Sequence, residues 1–379
     1  MKLLFASDSF KGSLTSVRTA ELLTRAAWEV FDGCECISSP VADGGEGTVQ
    51  AIITAGKGRL VPVRVHDPLM NPISAEYGML ENSGAVIEMA AASGLTLVPE
   101  NQRNPRITSS FGTGEMILHA LDSGCRDISI AIGGSATNDG GMGCARALGV
   151  RFLDQEGTEL VGRGQDLIQV RHIDLTNLDP RIREARITIL CDVKNPLCGK
   201  EGATFTFGRQ KGADDLTLAE LEAGMENYRR VILEELGIDC NQIPGSGAAG
   251  GLGAALKVFL GGEIRSGIET VLDLIHFDDL LEDVDLVVTG EGCTDAQSSQ
   301  GKVIQGVASH ARRKGIPVVA LSGSLGEGAF DLFSDGVDSI MTAVDRPMSL
   351  QEAMKRAEEL YLSAAVRMFR LIRIGMRLR

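Results

Sequence analysis

The chain has 379 residues, a length that corresponds to roughly two domains of ordinary size. Hydrophobic residues make up 44% of it and charged residues 23%, as in globular proteins with a sizeable core. The formal net charge is −14, which argues against nucleic acid or an anionic membrane surface as a partner. If its ligands are anions, such an acidic protein is expected to bridge them with a cation.

Cysteine spacing and hydropathy indicate in which cellular compartment the protein is expected. The cysteines form no Cys-x-x-Cys pair, so a structural zinc site is not indicated. The N-terminal apolar run is short and passes directly into Ser7 and Asp8, which is typical of a first β-strand and not of a signal peptide. No apolar stretch approaches the roughly 18 residues of a membrane span. These features predict a cytoplasmic protein without a membrane partner.

The N-terminal segment repeats one pattern, a short apolar strand followed by a polar loop and a helix. Residues 3–7 are predicted to form the first strand, and apolar residues spaced by three and four then predict a helix through Val30. Residues 36–41 are predicted to form a second strand, followed by a short helix through Val49 and Ile53.

The segment from about residue 60 to 280 differs, because its short strands are separated by glycine-rich loops. Strands are predicted at residues 60–65, 85–89, 128–132 and 187–191, and a long polar helix is predicted at residues 216–236. We interpret this segment as a second α/β domain that is inserted into the first.

The C-terminal segment returns to alternating strands and helices. Strands are predicted at residues 285–289, 316–321 and 339–344, and an amphipathic helix joins the first two. This alternation predicts an α/β fold with a doubly wound parallel sheet formed by both chain ends. The predicted boundaries are 1–62 plus 282–379 for the first domain and 63–281 for the inserted domain.

The last residues of the chain mix arginines with apolar side chains. They are predicted to form a C-terminal amphipathic helix that packs on the sheet and leaves a basic face in solvent. A helix that lies on a membrane surface is the alternative.

Polar side chains follow the predicted strands of the first domain. In doubly wound sheets, ligands bind beyond the carboxyl ends of the strands. The residues at these ends are Lys11, Asp43, Glu46, Glu291, Asp295, Ser322 and Ser324. Each loop alone could consist of turns and helix caps. Their convergence at one edge of a sheet favours a binding site.

Two glycine runs characterise the inserted domain. Residues 133–143 follow a predicted strand, and their backbone N–H groups and hydroxyls suit an anion. Residues 245–250 match G-x-G-x-x-G, but the segment before them is a poor strand, so a dinucleotide-binding fingerprint lacks its context.

A polar loop lies between the two glycine runs. Asp192 ends a predicted strand, where a carboxylate can serve a cation or a substrate proton. Arg209 and Lys211 follow as candidate phosphate partners, with a solvated basic loop as the alternative.

Several familiar catalytic patterns are missing from the sequence. There is no P-loop, no G-x-S-x-G and no motif shared by the histidines. A chemistry in which positioning, Mg²⁺ and cationic side chains do most of the work fits better. Phosphoryl transfer is that chemistry.

Five segments together resemble the bacterial glycerate kinase family, type one. They are, in chain order, residues 7–13 (SDSFKGS), 43–48 (DGGEGT), 133–141 (GGSATNDGG), 192–199 (DVKNPLCG) and 290–292 (GEG). The resemblance implies ATP-dependent phosphorylation of D-glycerate, usually at the 2-hydroxyl to give 2-phosphoglycerate, in organic acid catabolism. It also implies a flavodoxin-like domain made from both chain ends, with a second α/β domain inserted. The expected partners are D-glycerate and ATP with Mg²⁺, and a homo-oligomer is compatible with them.

Roles can be assigned to the polar residues under this interpretation. We interpret Lys11 as a cation for a phosphate or a carboxylate, and Asp192 as the leading candidate for base or metal ligand. Asp43 and Asp295 are further candidate catalytic groups, and Mg²⁺ is expected on Asp192, Glu291 and Asp295. The predicted substrate and phosphate contacts are Ser9, Ser13, Gly44, Gly134, Ser135, Asn138, Asn195, Arg209, Ser246, Gly247 and Ser322.

Two other functions remain open on the sequence alone. One is an NAD-dependent oxidoreductase built on residues 245–250, and the other is a non-catalytic protein that binds sugar acids. The sequence departs from the family pattern at Cys293 and Thr294, where the family usually carries an arginine and a branched apolar residue. We therefore do not assign a role to an arginine in that loop.

Overall fold

The computed structural model describes residues 1–45, 47–55, 58–81, 83–296, 298 and 302–378. The chain divides into two compact units. Unit 1 consists of Met1–Asp43, Gln50–Lys57 and Ser266–Arg379, and unit 2 consists of Gly44–Val49 and Gly58–Arg265. Unit 1 is thus formed by both ends of the chain, and unit 2 by its middle.

The strands are short, as expected for an α/β protein. In chain order they are β1 Lys2–Phe5, β2 Glu35–Ser38, β3 Gly58–His66, β4 Pro72–Leu80, β5 Gly84–Glu88, β6 Asp127–Ala131, β7 Arg151–Leu153, β8 His172–Asp174, β9 Arg186–Leu190, β10 Glu263–Arg265, β11 Leu286–Thr289, β12 Cys293–Thr294, β13 Val318–Ser322, β14 Ser324–Leu325 and β15 Ser339–Thr342.

The helices range from a single turn to 22 residues. In chain order they are α1 Ser16–Val30, α2 Thr48–Thr54, α3 Ala90–Ser93, α4 Phe111–Asp122, α5 Met142–Ala147, α6 Ala203–Phe207, α7 Asp215–Leu236, α8 Ala248–Leu260, α9 Gly267–Leu274, α10 Phe277–Leu280, α11 Val303–Arg313, α12 Leu332–Asp335, α13 Leu350–Lys355 and α14 Ala357–Arg377.

Unit 1 is built on a five-stranded sheet with the strand order β15-β13-β11-β1-β2. All four pairings are parallel. Numbered along the chain from the β2 edge, this is the order 2-1-3-4-5 of flavodoxin-like sheets. The predicted α/β fold, with a doubly wound parallel sheet formed by both chain ends, is confirmed.

Helices α1 and α14 lie side by side in unit 1. The Thr15 hydroxyl caps α1 by accepting the Arg18 N–H at 3.1 Å. The rings of Phe31 and Phe369 are 5.8 Å apart, and Tyr361 on α14 is buried. The predicted C-terminal amphipathic helix is therefore confirmed. Among the described residues, no helix is long and apolar enough to cross a membrane.

Unit 2 is built on a six-stranded sheet with the order β10-β9-β6-β5-β4-β3. β4 runs antiparallel to both of its neighbours, whereas the other pairings are parallel. β3 pairs with β4 from Gly58 opposite Leu80 to His66 opposite Pro72. The predicted boundary after residue 62 falls inside this strand. The predicted boundary after residue 281 lies beyond α9 and α10, which belong to unit 1.

Candidate active site

Three parallel strands of unit 1 bring carboxylates to one edge of the sheet. Asp8 follows β1, Asp43 follows β2 and Glu291 follows β11, and β1 lies between the other two strands. The Asp8 N–H donates to the Gly290 carbonyl at 2.8 Å, which extends the β1–β11 pairing up to the carboxylates. We call Asp8, Asp43 and Glu291, together with the neighbouring Lys11 and Asp295, the strand-end cluster.

Asp8 is a buried carboxylate of the strand-end cluster with a raised pKa. Its side chain is buried, and the Ser9 N–H donates to its Oδ1 at 2.6 Å. Burial, and then the negative charges of Asp43 and Glu291, raises the pKa of Asp8 to about 7. The Ser9 hydrogen bond and the positive charge of Lys11 lower that pKa but do not cancel the rise.

Glu291 is the second buried carboxylate of the cluster. The Ser298 hydroxyl donates to Glu291 Oε1 and accepts the Asp295 N–H at 3.0 Å. Burial raises the pKa of Glu291, and the charges of Asp295 and Asp43 raise it further. The Ser298 hydrogen bond and Lys302 act in the opposite direction. As at Asp8, burial and repulsion outweigh the available donors.

The strand-end cluster fits a hard cation that arrives with its own anionic ligands. Crowded, buried carboxylates with raised pKa values are stabilised when a cation offsets their charge. Within the described part of the chain, no group of three or more His, Cys, Asp or Glu side chains is arranged to hold a metal by itself. Mg²⁺ commonly takes one or two carboxylates and completes its shell with phosphate oxygens and water. A complete protein cage is therefore not required.

Asp8 was missed by the sequence reasoning, which named Lys11 from the same loop. The signal was available, because Asp8 comes at the end of a predicted strand just as Asp192 does. Ser9 lies beside Asp8, and Lys11 is exposed but close enough to affect its pKa. Glu46, which was also predicted as a strand-end carboxylate, lies outside the described residues.

Two predicted contacts of unit 1 are engaged in local hydrogen bonds. The Ser13 hydroxyl donates to the Phe10 carbonyl at 2.9 Å within its own turn. Ser322 is fully buried, and its Oγ lies 2.6 Å from Thr294 Oγ1. Both hydroxyls therefore stabilise the loops in which they lie.

Three loops of unit 2 converge beyond its parallel strands. Residues 133–143 follow β6, and residues 191–203 follow β9. Residues 245–251 precede α8 and include its first residues, of which Ala249, Gly250 and Gly251 are not helical. The Gly247 N–H donates to the Asn195 carbonyl at 3.0 Å, which joins the second loop to the third. We call these segments the three-loop cluster.

Glycine is needed where the third loop touches the first and second loops. The Gly140 N–H donates to the Gly250 carbonyl at 3.0 Å. A Cβ on Gly250 would lie 2.0 Å from the Thr137 carbonyl oxygen, and one on Gly247 would lie 2.0 Å from that of Pro196. Only residues without a side chain allow backbones to approach so closely.

The backbone of the third loop is also strained. Ala249, Gly250 and Gly251 have φ angles of 54°, 67° and 94°. The left-handed conformation costs a residue other than glycine roughly 1–2 kcal/mol, so Ala249 must be held there by its surroundings. Strain of this kind is common at functional sites.

Three buried side chains of the three-loop cluster have polar atoms without a hydrogen-bond partner among the described protein atoms. They are Thr137 Oγ1, Asn138 Oδ1 and Ser246 Oγ. The Asn138 amide donates to Thr204 Oγ1 at 3.2 Å, so only one end of that side chain is satisfied. Buried polar atoms normally have partners, which makes these three candidates for an ordered water or a ligand group.

Asp139 and Lys211 are buried, and both stabilise the same loops through hydrogen bonds. Asp139 accepts hydrogen bonds from the Ser110 N–H and hydroxyl, both at 2.7 Å, and from the Gly141 and Gly143 N–H groups. Lys211 is 1% exposed, and its Nζ donates to the Thr137 carbonyl at 2.6 Å. Burial lowers the pKa of Lys211 to about 7, against the attraction of Asp139. Lys211, a candidate phosphate partner by sequence, is thus enclosed in the protein.

The remaining predicted residues of unit 2 differ in burial and in the partners of their side chains. Asp192 is half-buried at the end of β9. The Asn195 amide donates to the Glu201 carbonyl at 2.7 Å. Arg209 is exposed and forms an ion pair with Asp215, so its guanidinium is already engaged.

Gly44, Gly134 and Ser135 lie where two loops of unit 2 pass each other. Gly44 and Gly134 have φ angles of 88° and 78°, and Ser135 is buried. A Cβ on Gly133 would lie 3.1 Å from Gly45 Cα. These positions bring backbone close to backbone.

Comparisons with known proteins agree with one another. The model of the glycerate kinase family matches residues 3–373. A glycerate 2-kinase of Escherichia coli is 43% identical over 378 residues, which cover 100% of this chain and 99% of that protein. A glycerate kinase of Bacillus cereus is 44% identical over 95% of this chain and 94% of that protein. A crystal structure from Salmonella typhimurium, assigned as a glycerate kinase 2, has a TM-score of 0.88 and 42% identity over 100% of this chain and 99% of that one. The chain belongs to the glycerate kinase family.

Proposed function

We propose that this protein catalyses the ATP-dependent phosphorylation of D-glycerate at the 2-hydroxyl, producing 2-phosphoglycerate and ADP. The observation that carries the proposal is the whole-chain match to glycerate kinases. The strand-end cluster supports it, because buried carboxylates beside a lysine suit a metal-bound phosphate chain.

Mg²⁺ is the proposed cofactor, with Asp8, Asp43, Glu291 and Asp295 as the residues that would hold it. When bound with ATP, Mg²⁺ neutralises phosphate oxygens and favours in-line transfer to a hydroxyl. Lys11 supplies a positive charge next to the same carboxylates, where it would bind a phosphate or a carboxylate oxygen.

Asp192 is the proposed acceptor of the proton that leaves the 2-hydroxyl. It is half-buried just after β9, in the second loop of the three-loop cluster. The hydroxyl oxygen forms the new bond to the γ-phosphorus, the bond to the ADP oxygen breaks, and the proton passes to the Asp192 carboxylate. The backbone N–H groups and buried polar atoms of the three-loop cluster are proposed to orient the reacting groups.

The two alternative functions have weaker support. A dinucleotide fingerprint needs a strand before its glycines, whereas a 3₁₀ helix, Cys240–Gln242, precedes residues 245–250. A protein that only binds sugar acids would not need the crowded carboxylates of the strand-end cluster.

Phosphorus NMR of a reaction containing ATP, Mg²⁺ and D-glycerate tests the proposal. A phosphate ester at the 2-oxygen couples to one proton and gives a doublet, whereas an ester at the 3-oxygen couples to two protons and gives a triplet. We expect the doublet together with ADP. A triplet would move the transfer to the 3-hydroxyl. Binding of D-glycerate without any phosphate ester would favour the binding protein, and quenching of NADH fluorescence would favour the oxidoreductase.

A further inference from the structure

Two phenylalanines of unit 1 stack on each other at the protein surface. The ring centroids of Phe330 and Phe333 are 5.8 Å apart, and the ring planes differ by 19°. The two residues are 61% and 48% exposed. Aromatic residues make up only 4% of the chain, and Phe205 is the only other exposed phenylalanine among the described residues. We call Phe330 and Phe333 the aromatic pair.

The aromatic pair lies in the segment that follows β13, next to the strands of the strand-end cluster. β13 pairs in parallel with β11, so the carboxyl ends of these two strands lie side by side. The order β15-β13-β11-β1-β2 places this segment one strand away from the strand ends that carry Glu291, Asp8 and Asp43. A ligand that reaches from the strand-end cluster to the aromatic pair therefore passes between neighbouring loops of one sheet.

Backbone contacts join the segment before the aromatic pair to Asp295 of the strand-end cluster. The Gly326 N–H donates to the Thr294 carbonyl at 2.7 Å. The Ala296 N–H donates to the Glu327 carbonyl at 2.8 Å. A Cβ on Gly326 would lie 2.9 Å from Asp295 Cβ. The backbone on both sides of Asp295 is thus fixed against the segment that leads into the aromatic pair.

The other strand-end loops of this sheet offer no comparable surface. The sequence has no aromatic residue in the loops after β2, β11 and β15, which are residues 39–47, 290–302 and 343–349. The loop after β1 contains Phe10, which is only 5% exposed. Single exposed apolar side chains are ordinary, whereas contiguous exposed apolar surface can mark a binding site. Every nucleobase has a π-face that stacks on an aromatic ring.

We propose that the base of ATP stacks on Phe330, with Phe333 supporting that ring, while the phosphates lie at the strand-end cluster. This proposal rests on the proposed function and deepens it, because it assigns the base of the nucleotide to residues outside both clusters. Phe330 is the more exposed of the two rings, so it is the one that a base can cover. Neighbouring loops of one sheet then hold the two ends of the same nucleotide.

Calorimetric titration with MgADP and with magnesium pyrophosphate tests the proposal. Both probes carry a diphosphate, but only MgADP carries a base. In Phe330→Ala the Kd of MgADP should rise roughly fivefold to a hundredfold, as for the loss of one base–aromatic stack. The Kd of magnesium pyrophosphate and the melting temperature should stay close to wild type, because the side chain is exposed. Phe330→Tyr keeps the ring and should bind MgADP as the wild type does.

Leu371→Ala is the matched control for Phe330→Ala. Leu371 belongs to the same unit and is 63% exposed, but it lies on α14 and not in a strand-end loop. Its removal should leave the Kd of both probes unchanged. In steady-state kinetics, Phe330→Ala should raise the KM for ATP and leave the KM for D-glycerate within twofold of wild type, whereas Leu371→Ala should change neither.

The outcomes separate this proposal from the proposed function. Formation of ADP by the wild-type protein with ATP and D-glycerate tests the function alone. A Kd of MgADP within twofold of wild type in Phe330→Ala would overturn the proposal and leave the function standing. Equal rises in the Kd of MgADP and of magnesium pyrophosphate would also overturn it, because Phe330 would then act through the loop of Asp295 and not on the base.

Discussion

Asp8 in unit 1 and Asp139 in unit 2 are both buried carboxylates whose pKa burial raises, yet their surroundings differ. Asp139 accepts two hydrogen bonds from Ser110 and two from backbone N–H groups of its own loop. Asp8 accepts the Ser9 N–H but lies close to the charges of Asp43 and Glu291. The fold satisfies Asp139, whereas it leaves Asp8 with surplus negative charge. A buried carboxylate of the first kind stabilises a loop, and one of the second kind is available to a cation.

The largest expected effect is on stability and follows the substitution Asp139→Ala. Removing this carboxylate leaves the donors from Ser110, Gly141 and Gly143 buried without an acceptor. The free energy of unfolding should fall by about 3–5 kcal/mol, as for other broken networks around a buried charge. Urea denaturation at pH 7 measures it.

Asp154→Ala is the control for that prediction. Asp154 also accepts backbone N–H groups, from Glu156 at 2.9 Å and Thr158 at 2.8 Å, but it does so in an exposed turn. Its loss should cost no more than about 1 kcal/mol, because water can replace the carboxylate. Similar losses for Asp139→Ala and Asp154→Ala would contradict the structural role of Asp139.

Asp192→Asn separates a chemical role from a structural one in unit 2. Asparagine keeps a side-chain acceptor in the turn but cannot take the hydroxyl proton. Turnover should fall about a hundredfold or more, the contribution of a positioned acid–base group, with an unchanged melting temperature. Full activity in the Asn variant, together with a loss of about 1 kcal/mol of stability in Asp192→Ala, would make Asp192 a turn cap.

A smaller effect is expected on the pH dependence of the free energy of unfolding, and it arises from Lys211. The folded protein releases the Lys211 proton at a pKa of about 7, whereas the unfolded chain keeps it up to 10.5. Between these values the unfolded state binds the extra proton, so the free energy of unfolding should rise with pH by roughly 1 kcal/mol per pH unit. Lys211→Met should lose this part of the slope between pH 7 and 9. Identical slopes in both proteins would show that burial does not perturb this lysine.

Local patterns were sufficient for much of the fold. The prediction of a helix at residues 216–236 is close to α7, because Asp214 caps its start and Gly237, with a φ of 72°, ends it. β4 was not predicted, since Pro72 and Gly78 weaken its local signal and its pairing with β3 joins distant residues. The position of the first unit boundary depends on that same pairing.

The site was harder to predict, because burial is set by distant parts of the chain. The sequence pointed to Asp192 as the leading candidate and to Asp43 and Glu291 as further ones. Only the strand order β11-β1-β2 shows that Asp8 lies between two other strand ends. Lys211 was predicted as a phosphate partner or part of a solvated loop, whereas in the structure it is buried and donates to the first glycine loop.

Turnover and melting temperature of Asp8→Asn, measured on the same sample, test the contrast between the two aspartates most directly. Asparagine keeps the acceptor for the Ser9 N–H and removes the charge that Asp43 and Glu291 repel. We expect turnover with ATP, Mg²⁺ and D-glycerate to fall about a hundredfold, as for the loss of one charge-stabilising group, while the melting temperature stays equal or rises. Wild-type turnover combined with a lowered melting temperature would contradict the account, because Asp8 would then serve the fold as Asp139 does.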